Sequence, residues 1–333
     1  MTALSFITLF FLSRCSPSET DLGFKVKLEK ELIIQEKDET PAIFFSYIRH
    51  ISTDLAGNIY VLDQEKLMKF DTAGKLLWEN DRHGQGPGEF SRIVDLDVSR
   101  TGKIFVADQN KMKVIIFSSA GQYIDEFSTG HVSPIEIEVD SKEDIYLAYI
   151  GSDDEFLLHK YNSSGELVDS FIRGDSAEKI PLLRNAKNGI TFCVDRKDNI
   201  IISFIYEYKI LKYSPECGFV GSWTRDLPYK PREIEVVRPQ PNMMKIEGDR
   251  ITQGITADNQ DNIYVLWGCK KTDQGVLIDV FSPRGKLLSS FYSSIDTPYD
   301  LQNIYIDYQD RLYVVDPIED PKIYRLRMEK VEE

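Results

Sequence analysis

Asp95, Glu136, Asn303 and His50 are the side chains of this sequence best suited to chemistry. Three offer hard oxygens and one an imidazole, a set that holds Ca²⁺ or a similar cation when it converges on one point. No local motif groups them. What relates them is position: each stands four residues before a polar turn that recurs along the chain, as do Thr191 and Gly254. Two residues before the same turns stand Ser52, Asp97, Glu138, Cys193, Thr256 and Tyr305. The positions one and three before are nearly all apolar, as with Ile51, Leu96, Ile137, Phe192, Ile255 and Ile304. That alternation predicts strands with one face packed and one polar face lining a shared channel.

The turns open at Asp54, Ser99, Asp140, Asp195, Asp258 and Asp307, as in "DLAGNIYVLD", "SRTGKIFVAD" and "DNQDNIYVLW". In each, a Gly or Asp is expected three positions on, before a β-rich apolar run. A second strand follows, ending in Phe70, Phe117, Tyr161, Tyr213 or Phe281, then a turn at Gly74, Gly121, Gly165, Gly218 or Gly285. Glycine there supplies the positive φ of a tight hairpin. A further strand carries Trp78, Phe127, Phe171, Trp223 or Phe291. With the strand before each turn, this makes four strands per unit and six units. The fold expected is all-β: a single six-bladed β-propeller of four-stranded antiparallel blades. The sixth unit stops after "IYRLRM", so its outer strand must come from "FKVKLEK" (Phe24 to Lys30) or from "ELIIQ" just after it. The expected organisation is a leader at 1–15, a tether at 16–23, the propeller at 24–328 and a tail at 329–333.

"RHGQGPGEF", residues 82 to 90, has the look of a phosphate-binding loop. Such a loop needs a helix behind it to converge amides on the anion. Here "RIVDLDVS" follows and reads as a strand, so the glycines turn the chain between blades and Phe90 fills the gap. The segment Gly84 to Phe127 resembles an NHL repeat: Gly-rich linker, Phe, inner strand, turn, "VAD", Asn, apolar strand, Gly. The whole chain resembles bacterial six-bladed propellers related to NHL proteins, many of which carry lipoprotein signals. The "VAD" Asp becomes Tyr149, Phe204 and Trp267 in the next three units. In six-bladed lactonases of the gluconolactonase type a metal is held by Glu, Asn and Asp at the channel, which implies Asp95, Glu136 and Asn303 here. The other lactonase motifs are absent, and a hydrated polar ring is the competing account.

Other residues point less clearly. His83 and His131 lie in linkers one blade apart and are expected in solvent, although they could meet on one rim. Asp153, Asp154 and Glu155 form an acidic loop cluster. No G-x-S-x-G elbow and no C-x-x-C pair is present. The longest insertion, Arg225 to Arg250, precedes the fifth inner strand. Its prolines exclude a continuous helix, and Tyr229, Met243 and Met244 are its candidates for exposed apolar surface.

The formal charge of −14 repels polyanions, so nucleic acid is not an expected partner. "ALSFITLFFL", Ala3 to Leu12, is too short to span a bilayer and matches a signal core. It runs into Cys15 as a lipoprotein signal does, although Arg14 and the lack of a preceding Lys or Arg depart from that pattern. These features predict a monomeric propeller of the cell envelope, held to the membrane only through lipid on Cys15. Its partner would be a protein or glycan bound through rim loops, with no cofactor unless Ca²⁺. The alternative is a lactonase-like metal-dependent hydrolase or lyase acting at the channel mouth.

Overall fold

A computed structural model of the chain describes residues 24–36, 43–64, 66–149, 155–240, 243–268, 276–293, 295, 303–317 and 321–331. Cys15, Asp153, Asp154 and Cys269 lie outside the described residues.

Each repeat begins with one device. The opening carboxylate accepts the backbone N–H four residues on: Asp54 from Asn58, Asp140 from Asp144, Asp195 from Asn199, Asp258 from Asn262 and Asp307 from Arg311, all at 2.9 Å. In the second blade the Ser99 hydroxyl accepts from Lys103 at 3.2 Å. Such side-chain acceptors favour the turn over a continued strand. The residue three on is left-handed in all six copies, at φ 57° to 85°: Gly57, Gly102, Glu143, Asp198, Asp261 and Asp310. Glu143 departs from the expected Gly or Asp. The other carboxylate oxygen of four turns accepts from a buried phenol six residues on, at 3.1 to 3.2 Å: Tyr60, Tyr146, Tyr264 and Tyr313.

Six four-stranded antiparallel sheets follow, with inner strands Ile48–Thr53, Ile93–Val98, Pro134–Val139, Ile190–Val194, Thr252–Ala257 and Asn303–Ile306. Neighbouring sheets bury mixed aliphatic and aromatic clusters between them. The fourth strand of the sixth sheet is the N-terminal strand Lys25–Gln35, paired antiparallel with Lys322–Val331. Both "FKVKLEK" and "ELIIQ" therefore contribute, joined by a bulge between Lys30 and Leu32. The last strand runs past Met328 to Val331, because residues 25 to 27 pair with it, so the expected tail begins as strand.

A second device locks blade to blade. The outer-strand aromatic of one blade lies on the turn glycine of the next: Trp78 on Gly121, Phe127 on Gly165, Trp223 on Gly285. Across the closure, Leu32 and Ile34 cover Gly74 in the same way. Blade four breaks the pattern. Gly218 does not take the positive φ expected of it; Cys217 does, at 59°, because its N–H closes the turn on the Ser214 carbonyl one residue earlier. A short helix, Pro181–Lys187, lies between blades three and four and was not expected. It shows too little apolar periodicity to stand out in the sequence.

Candidate functional site

The glycine stretch is closed by its own side chain. Glu89 accepts the Gly86 N–H at 2.8 Å, and its carboxylate occupies the space beside Gly84. The Gly84 and Phe90 backbones bond across the loop, and Phe90 is fully buried between blades one and two. A carboxylate already sits where an anion would. His83 and His131 are exposed, and Glu155 pairs with Arg173.

The channel side chains form two tiers. In the inner tier Asp97, Thr256 and Tyr305, each two residues before its turn, reach across to the next blade. Asp97 accepts the Val139 N–H at 2.9 Å, Thr256 the Ile306 N–H at 3.1 Å, and Tyr305 the Thr53 N–H at 3.3 Å. Asp97 also takes the Ser52 hydroxyl at 2.8 Å. These bonds satisfy free-edge N–H groups on three of the inner strands, where no sheet partner covers them. Arg196 closes this end of the channel. Its guanidinium bonds the Asn259 side chain at 3.1 Å and the Ile306 carbonyl at 3.2 Å, and lies 4.0 Å from the centre of the Tyr308 ring.

The outer tier holds the predicted site. His50 Nδ1 lies 2.8 Å from Asp95 Oδ1 and 2.8 Å from the Asn303 amide. Asp95 Oδ2 accepts the Ile137 N–H at 2.8 Å. Glu136 Oε1 accepts from the Thr191 hydroxyl at 2.8 Å and the Phe192 N–H at 3.2 Å. The five predicted residues thus meet at the channel. His50, Glu136 and Asn303 separate an inner cavity of about 40 Å³ from a mouth pocket of about 230 Å³. The inner cavity has room for ordered water. Among the described residues no three His, Cys, Asp or Glu side chains are disposed to hold a metal ion.

Burial, then the Asp95 charge, pushes the Glu136 carboxyl up to about 8. Burial and neighbouring carboxylates raise Glu138 and burial raises Asp97. Burial opposes a charge on His50, but Asp95, with Glu136 and Asp97, outweighs it and raises the imidazole. The folded protein therefore retains a Glu136 proton that the unfolded chain releases. The contribution of this one group is fully favourable below about pH 4.5 and declines as pH climbs toward 8. Glu136→Gln keeps the acceptor for Thr191 and removes the titration. Melting curves should show the variant more stable than the parent by about 4 kcal/mol near pH 8, with the gap gone near pH 4. An equal gap at both pH values would contradict this.

Arg49, Gln253 and Arg250 also line the mouth, and alternation along the strands missed them. Four inner strands carry a bulge at the same level, between Ile48 and His50, Ile93 and Asp95, Pro134 and Glu136, and Thr252 and Gly254. The extra residue of each (Arg49, Val94, Ile135, Gln253) joins the pocket wall, where period two places it on the packed face. The insertion ends here. It forms a hairpin, Glu235–Gln240 with Met243–Glu247, whose Met243 and Met244 are exposed. Tyr229 is not part of that exposed surface: its ring packs toward Trp267, centroids 6.5 Å apart, which withdraws it from solvent.

Residues 39–216, more than half of the chain, match the sequence profile of the DUF5128 family, described as a 6-bladed beta-propeller. No curated protein matches the sequence. Among solved structures, a member of the DUF4221 family from Bacteroides vulgatus superposes with a TM-score of 0.57 at 10% identity, over 93% of this chain and 100% of that one. A putative exported protein from Bacteroides fragilis gives 0.57 at 10%, over 91% and 95%. Virginiamycin B lyase from Staphylococcus aureus gives 0.54 at 12%, over 92% and 89%. At such identities the likeness concerns the fold alone. Blade count, ring closure and matched span agree, and the chain belongs to the DUF5128 family of six-bladed β-propellers.

Proposed function

We propose that this protein is a non-catalytic binding propeller of the bacterial envelope, akin to NHL proteins and anchored by lipid on Cys15. It engages a protein or glycan across the face that carries the Arg225–Arg250 insertion. The observation that supports this reading is the commitment of the channel acids. Asp95, Asp97 and Glu136 spend oxygens on the neighbouring blade's backbone N–H groups, which is structural work. The insertion, by contrast, ends at the channel mouth with Arg250 and presents the exposed Met243 and Met244 on its hairpin. A photo-crosslinking side chain at Met244, in cells, should trap a discrete adduct, and one at exposed Val220 on an outer strand should not. Equal trapping at both positions would overturn the reading.

The anchor has its own test. Cys15→Ser should shift the protein out of the membrane fraction or block its processing. Unchanged fractionation, with no lipid mass on the N-terminal peptide, would remove the anchor from the proposal.

A second reading is a metal-dependent hydrolase or lyase. It is favoured by the His50–Asp95 pair beside Glu136, an acid held protonated at neutral pH. If it holds, Ca²⁺ should raise the melting temperature, and Asp95→Asn and Glu136→Gln should each abolish the rise. No shift with Ca²⁺ would remove the calcium form of this reading.

A further inference from the structure

The mouth pocket carries features that neither the ring closure nor the inter-blade bonds use. The Gln253 amide oxygen is buried there without a hydrogen-bond partner among the described residues. A buried acceptor left unmade costs free energy, so it calls for a donor. The Thr191 hydroxyl gives its proton to Glu136 and keeps an acceptor lone pair toward its surroundings. Two arginines line the same pocket. Arg49 is fixed by an Nε bond to the Gln64 carbonyl at 3.1 Å and by the Tyr47 ring, 5.4 Å away, so neither Nη is spent in those contacts. Arg250 is exposed and makes no ion pair among the described residues. In a chain of net charge −14, two arginines line one small pocket.

The acids in the pocket do not cancel them. Asp95 is matched by His50 and the Ile137 N–H, and Glu136 Oε1 is taken by the Thr191 hydroxyl and the Phe192 N–H. The wall is therefore a ring of hydroxyl-binding groups with two arginines among them. Ile135, Val94 and neighbouring aliphatic side chains supply faces for carbon-bound hydrogens. About 230 Å³ suits a single six-carbon unit rather than a large ligand. We propose that the channel mouth binds a sugar acid, a hexuronate or the uronate end of a glycan. Its hydroxyls would face Gln253, Thr191 and Asn303, and its carboxylate would face Arg49 and Arg250. Planar guanidinium groups recognise carboxylates through paired N–H bonds, which is the reason to choose the acid over the neutral sugar.

This rests on the binding reading above and can fail separately from it. Isothermal titration of the full protein with glucuronate, galacturonate, glucose and acetate tests it. Uronates should bind in the millimolar range or better, and glucose about tenfold more weakly, with no heat from acetate. Arg250→Ala and Gln253→Ala should each weaken the uronate about tenfold or more while leaving the melting temperature nearly unchanged. Arg250 is on the surface, so the first variant should fold. Absence of uronate binding, equal affinity for glucose, or full affinity in Arg250→Ala would overturn the proposal. Tighter binding of short peptides through their C-terminal carboxylate would also overturn it, by assigning the pocket to chain ends. Uronate failure with the Met244 adduct retained would sink the pocket alone; failure of both would sink the binding propeller itself.

Discussion

Deletion of residues 21 to 36 should leave a protein that aggregates or melts at far lower temperature. The segment supplies the whole outer strand of the sixth blade, with ladder pairs from Lys25–Val331 to Gln35–Lys322. It buries Ile34, 1% exposed, in the cluster between blades six and one, and packs Phe24, Val26 and Leu28 against the cluster between blades five and six. Loss of that ladder and its apolar contacts costs about 5 kcal/mol or more, which rivals the total stability of many domains. It also strips the cover from the Gly74 turn and bares the edge of Lys322–Val331. Thermal unfolding and light scattering of the truncated protein are the measurements. A deletion variant that melts with the parent would show that the ring does not need this strand.

Asp279→Asn should be nearly as damaging from a single atom. The Asp279 carboxylate is fully buried and takes donors from three parts of the chain. Tyr208 of blade four donates at 2.5 Å, Trp267 of blade five at 2.7 Å, and Arg225, where the insertion begins, forms an ion pair. Arg225 also lies over the Trp267 ring at 5.2 Å. The substitution leaves a partly buried guanidinium without its counter-charge, a loss of about 3 kcal/mol. The same carboxylate fastens the base of the insertion to the ring. Limited proteolysis should therefore cut Arg225–Arg250 in the variant while the blades resist. A drop in melting temperature with no new cleavage there would separate stability from anchoring and refute the second part.

Most of the ring was legible because its determinants are local and repeated. The opening Asp turn and the Gly hairpin turn each announce themselves within ten residues, whereas the aromatic that covers the next blade's glycine, as Trp78 covers Gly121, lies too far along the chain for any local rule to show it. The closing strand was legible from its alternation and from the missing strand of the last unit. His50, Asp95, Glu136, Thr191 and Asn303 were legible as one ring because a regular strand repeats every two residues. Arg49 and Gln253 were not, since a bulge breaks that period at the mouth. Arg196 and Arg225 were missed for another reason. Their partners lie on other blades, at Asn259, Ile306 and Asp279, and no spacing rule relates them. Cys217 shows a local failure, where a glycine one position away drew the inference to itself.

The pairing of Lys25 with Val331 also sets a timetable. During synthesis the first strand of the fold to emerge is the one whose only ladder partner is made last. At about 5–20 residues per second, Lys25–Gln35 waits on the order of 15 to 60 s for that partner. Closing so long a loop also makes the event slow in its own right. For that interval the segment is a β-prone edge exposed to other nascent chains. Its sequence is suited to the wait. Lys25, Lys27, Glu29, Lys30 and Glu31 interrupt its apolar residues, and charges so placed on a strand discourage pairing with strangers. The charges of the closing strand thus act before the fold exists, keeping it available for the one partner that arrives at the end.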